Sequence, residues 1–111
     1  MKQEAFTMSL LFDTYGALLT EKQQTYFDLY YNQDLSLAEI AEQEGISRQG
    51  VHDAISRSEA LLASFERVTG CVAREQKLRH ALAAITAEAQ PLLQAGDPAT
   101  RQGAQRILCR R

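Results

Sequence analysis

The stretch SLAEIAEQEGISRQGVHDAISR, Ser36 to Arg57, decides the fold. Ser36 stands three residues before Glu39, the spacing at which an N-cap hydroxyl and an N3 side chain satisfy each other's backbone N–H groups, so a short helix opens there. Leu37, Ile40 and Ala41 are its apolar positions. Gly45 is its stop, because glycine takes the left-handed conformation of a helix C-terminus without a Cβ clash. Ser47 then caps a second helix that begins at Arg48. A helix, a tight glycine-containing turn and a helix form the layout of the DNA-binding helix-turn-helix. In that layout Ile40 and Ala41 pack against Val51 and Ile55, and Ile46 plugs the turn. Arg48, Gln49, His52, Asp53, Ser56 and Arg57 remain outward.

The outward face is chemically suited to nucleic acid. Arg48 and Gln49 occupy the first turn, where a recognition helix meets base edges, and their side chains match guanine and adenine bidentately. His52 and Ser56 follow on the same face. Ser47, with the free backbone donors of that turn, suits a phosphate, and Arg57 suits the backbone further along. Two features oppose this reading. Asp53 shares the face, and Glu39, Glu42 and Glu44 lie next to the turn, where they repel phosphates if they face them. A helix-turn-helix shape also serves protein contacts, so DNA reading and a scaffold role both stand at this point.

Outward from that block, almost every segment reads as helix. Met8, Leu11, Phe12 and Tyr15 share one face of a first helix ending near Gly16. Thr20 and Gln23 form another capping box before a helix over 21–31 that buries Tyr26, Phe27 and Tyr30, leaving Tyr31 exposed. The helix from Arg48 continues through Leu62 and Phe65, and Gly70 either ends or bends it. Beyond, Leu78, Leu82, Ile85, Ala89 and Leu92 step by four, three, four and three, a heptad-like seam. Pro91 kinks or ends that helix. Gly96-Asp97-Pro98 makes a turn, with Asp97 as cap and Pro98 at the first position of a last helix.

The 111 residues carry 12 basic and 14 acidic side chains, a net charge of −2, with 45% hydrophobic residues, two Cys and no Trp. That composition fits a globular protein of one domain with an appended arm. No apolar run approaches the ~18 residues of a membrane helix, and no signal peptide is evident, so a cytoplasmic protein without membrane contact is expected. The near-neutral total hides an asymmetry. Residues 1–47 hold 2 basic and 8 acidic groups, and residues 48–111 hold 10 basic and 6 acidic. The sign changes at Ser47-Arg48, the cap of the outward-facing helix.

Other constellations are weaker. Cys71, Cys109, His52 and His80 lack the paired spacings of a structural zinc site, so no metal is expected. No nucleophile motif or phosphate loop appears, which points away from an enzyme, a cofactor or a small-molecule substrate. Arg74, Lys77 and Arg79, with Arg101, Arg106, Arg110 and Arg111, form either a second anion-binding surface or the solvated face of amphipathic helices.

The block from Leu10 to Glu66 resembles the YlxM family of small bacterial helix-turn-helix proteins. The runs that carry the likeness are Tyr-Gly-Ala-Leu-Leu-Thr at 15–20, Leu-Tyr-Tyr at 29–31, Ser-Leu-Ala-Glu-Ile-Ala at 36–41 and Ser-Arg-Gln at 47–49. The resemblance implies a fold like region 4 of sigma-70-type factors, followed by helices that support a dimer. It also implies a regulatory role connected with the signal recognition particle pathway. The chain departs from the family's common pattern at Gly50, His52 and Ser56, where Ala, Tyr and Lys are usual.

The sequence therefore predicts an all-α protein with a helix-turn-helix domain over 4–68 and a helical arm over 71–109. Its expected nucleic-acid contacts are Ser47, Arg48, Gln49, His52, Ser56 and Arg57. Its expected dimerisation stripe is Leu78, Leu82, Ile85 and Leu92, buried either on the preceding helix or across a two-fold axis in a homodimer. DNA is the first partner expected; a signal recognition particle protein or RNA, bound by an adaptor that does not read DNA, is the alternative.

Overall fold

The computed structural model describes residues 4–110, which are mostly helical, with no strand among the described residues. Six α-helices follow in order: α1 Ala5–Tyr15, α2 Glu21–Tyr31, α3 Leu37–Glu44, α4 Arg48–Thr69, α5 Cys71–Ala89 and α6 Pro98–Cys109. Short 3-10 turns, Gly16–Leu18 and Gln90–Gln94, follow α1 and α5. The chain divides into two compact units, Met1–Val72 and Ala73–Arg111.

Local chemistry sets the helix ends in the first unit. Thr20 and Ser36 each complete a capping box, with Gln23 and Glu39 as the reciprocal partners. Gly45 and Gly70 close α3 and α4 in the left-handed conformation, at φ 69° and 63°. Gly70 thus ends the fourth helix rather than bending it. Val72, the second residue of α5, still reaches the core.

Two apolar clusters hold these helices together. In one, Leu37, Ile40 and Ala41 of α3 meet Val51 and Ile55 of α4 over Tyr26, Leu29 and Tyr30 of α2. In the other, Met8, Leu11 and Tyr15 of α1 meet Leu19, Phe27, Leu62 and Val72. Phe27, wholly buried, stacks between Phe12 and Tyr31 at centroid distances of 4.7 and 4.4 Å. Ser58 is also wholly buried and donates its hydroxyl to the Ala54 carbonyl one turn back, at 2.9 Å, so the core holds no orphaned group there.

Two expectations need correction. Tyr31 is half-buried, not exposed, because its ring stacks on Phe27 and its hydroxyl donates to Glu59 of α4. Ile46 is not part of the core cluster beneath the turn. It stays 37% exposed, while Ile40 and Ala41 pack with Val51 and Ile55 in the cluster between α3 and α4.

In the second unit, Asp97 caps α6 by accepting from the Ala99 N–H at 3.2 Å, with Pro98 at the first helical position. Ala89 and Ala104 are buried. Leu78, Leu82, Ile85 and Leu92 stay 65, 45, 50 and 43% exposed.

Candidate nucleic-acid interface

The N-cap Ser47 and the first three turns of α4 hold the six side chains the sequence singles out, together with Asp53. Ser47 takes an extended N-cap conformation, and its Oγ accepts from the Gly50 N–H at 2.9 Å. That bond fixes where α4 starts. The N–H groups of Arg48 and Gln49 precede the first intrahelical bond and point out of the helix N-terminus, a disposition that favours an anion.

Val51 and Ile55 point into the core with 0 and 3% exposure, so the helix is rotated with its polar ridge outward. Ser47, Arg48, Gln49, Asp53, Ser56 and Arg57 are exposed. His52 is half-buried, with its Nδ1 covered and without a hydrogen-bond partner. Arg48 and Arg57 engage no acid among the described residues, which leaves both guanidinium groups available to a phosphate or a base. Gln49 is engaged: its Nε2 donates to Asp53 Oδ1 at 2.9 Å. His52 Nδ1 lies 3.5 Å from the same carboxylate oxygen. Sequence reasoning placed Asp53 on this face as an opposing charge and missed its partners, although the Gln49-to-Asp53 spacing of four is itself a signal for such a bond.

The neighbouring α3 presents Glu39 and Glu42 to solvent. Glu39 is held below the ordinary carboxylate value by hydrogen bonds from the Ser36 backbone N–H and hydroxyl, so it stays charged through the mildly acidic range. Cys71 and Cys109 are exposed and form no disulfide, and no group of three or more metal-ligating side chains gathers among the described residues. No described helix is long and apolar enough to cross a membrane. Arg74, Lys77 and Arg79 on α5, Arg101 and Arg106 on α6, and Arg110 just after α6 are all exposed, and Arg79 is paired with Glu75 at 2.7 Å; Arg111 lies outside the described residues.

A capped short helix, a left-handed glycine and a longer helix with its polar ridge free define a helix-turn-helix protein. The family described as "Putative helix-turn-helix protein, YlxM / p13 like" matches residues 2–95, and the chain belongs to it. Relatives include a protein of this family, UPF0122, from Thermoanaerobacter sp. (strain X514), 48% identical over 74% of this chain and 70% of its own length. One from Symbiobacterium thermophilum is 54% identical over 63% of this chain and 65% of its own length. A third, from Clostridium kluyveri, is 58% identical over 58% of each.

Proposed function

We propose that the protein is a non-enzymatic regulator that binds double-stranded DNA by inserting the first turns of α4 into the major groove. Arg48, Gln49, His52 and Ser56 face base edges, and Ser47 and Arg57 hold phosphates. The observation that carries this reading is the ridge itself. Two uncompensated arginines and a set of hydrogen-bonding side chains stand outward on a helix whose opposite face is locked into the core. The family likeness supports the same class of function, and the resemblance to YlxM proteins is what suggests a role connected with the signal recognition particle pathway, with the cytoplasm as the compartment proposed.

A second copy of the chain covers the exposed stripe of α5. In the heptad frame Leu78 and Ile85 share one core position with Leu92, and Leu82 shares the other with Glu75. A parallel pair sets Glu75 against its own copy inside the seam. An antiparallel pair instead sets Leu82 opposite Ile85 of the second copy and avoids that repulsion, so the antiparallel homodimer is the form proposed.

The exposed acids of α3 favour one other reading, an adaptor that binds a protein or RNA of the particle and uses the helix-turn-helix as scaffold. Genome-wide capture of bound nucleic acid, with the native chain and with Arg48 and Arg57 both changed to Ala, separates the two. DNA enrichment lost in the double variant supports the regulator. RNA enrichment, or none, supports the adaptor.

A further inference from the structure

Asp53 is the one acid on the proposed reading face, where a carboxylate near phosphates weakens binding by simple repulsion. Its geometry gives it a different use. Asp53 is acceptor-only, and its Oδ1 takes a hydrogen bond from Gln49 Nε2 at 2.9 Å while lying 3.5 Å from His52 Nδ1. A free glutamine amide turns over at little cost, exchanging its oxygen and nitrogen. Beside Asp53 the turned-over form sets Oε1 against the carboxylate, so only one orientation is allowed.

In that orientation Gln49 keeps its carbonyl oxygen and one N–H unengaged. Those are the acceptor and donor that adenine demands from a bidentate partner, through its N6 amino group and N7. The remaining alternatives on the ridge are less constrained: Arg48 has no partner to aim it, and Ser56 serves any base.

We propose that Asp53 is a positioning residue that orients the Gln49 amide and thereby makes α4 select an adenine in the major groove of double-stranded DNA. The inference rests on the DNA-reading proposal above. A-form RNA does not fit it, because the major groove of that duplex is too deep and narrow for a helix to read.

The test is selection of the full chain and its variants on a pool of random-sequence duplexes, followed by direct binding measurements at low salt. The native chain enriches a motif with a defined adenine. Asp53→Ala lowers the preference for that adenine about tenfold yet binds random duplex more tightly, having lost a negative charge. Gln49→Ala loses the same preference without the gain in affinity. A merely structural Asp53 does not yield looser selection together with tighter binding, and circular dichroism confirms that the exposed variants keep their helix content. An adenine preference that survives Asp53→Ala overturns the Asp53 proposal, whatever Gln49→Ala does, and leaves DNA reading intact. Failure of the native chain to enrich any motif overturns both.

Discussion

The hydroxyl of Tyr15, in the last turn of α1, donates to Glu66 Oε1 near the end of α4 at 2.6 Å, across 51 residues of sequence. The same oxygen accepts the Val72 N–H at 3.1 Å, and Thr69 Oγ1 accepts the Cys71 N–H at 3.3 Å. One carboxylate and one hydroxyl therefore satisfy the backbone donors that open α5, and Tyr15 ties that junction to α1. Burial raises the Tyr15 phenol above its ordinary value, and donation to Glu66 raises it further. Tyr15→Phe keeps the ring packed against Phe65 and removes the tie. The expected result is a thermal midpoint lowered by a few degrees with helix content unchanged, read by circular dichroism; an unchanged midpoint contradicts the role assigned to the bond.

Gly45 closes α3 at φ 69°, and a Cβ built there meets nothing within 4 Å. Backbone strain is thus the sole cost of a side chain. Gly45→Ala should destabilise the first unit by about 1–2 kcal/mol in urea unfolding. A stability equal to the native protein's contradicts the left-handed turn between the two helices.

Acid should weaken both units through their caps. Glu39 is held low by the Ser36 backbone N–H and hydroxyl, and Asp97 by the Thr100 hydroxyl and the Ala99 N–H. A carboxylate depressed in the folded state contributes stability that is present above its unfolded value and lost as the pH falls through its folded one. The loss therefore begins below the ordinary values of 4.5 and 3.8 and deepens with further acid. Glu39→Gln and Asp97→Asn should each flatten the acid limb of a plot of melting temperature against pH. An acid limb as steep as the native protein's removes these caps from the account.

These groups also show what the sequence made legible. Ser36 and Glu39, Thr20 and Gln23, and Ser47 bond to neighbours within a single turn, so spacing alone reveals them. The apolar faces of α3 and α4 follow from helical period in the same way. Tyr31 was misread because its cover, Phe27 and Glu59, depends on how α2 lies against α4. The Tyr15 to Glu66 bond has no local signature at all. Within the ridge of α4, the residues were legible and the coupling of Gln49 to Asp53 was not, because period tells which side chains face outward but not which of them hold each other.

The antiparallel dimer has a reporter in the native sequence, since Cys71 is exposed at the start of α5. Pairing centred between Leu82 and Ile85 sets the two Cys71 backbones roughly 35–40 Å apart along the helix direction, at 1.5 Å per residue. Spin labels on Cys71, with Cys109→Ser to remove the other thiol, should report that long separation. Ile85→Glu should give a monomer by light scattering. A label distance on the order of 10 Å, the contact separation of two parallel helices, contradicts the antiparallel form, and a native chain that scatters as a monomer contradicts the dimer.

The central claim, that α4 binds a DNA duplex through its outward ridge, is tested most directly by the salt dependence of duplex binding. The native chain should bind with an affinity that falls steeply as salt rises. Arg48→Ala with Arg57→Ala should bind more weakly and with a slope of log affinity against log salt shallower by about 1, since the phosphate contact of Arg57 contributes about 0.9. Affinity and slope unchanged in the double variant contradict the claim.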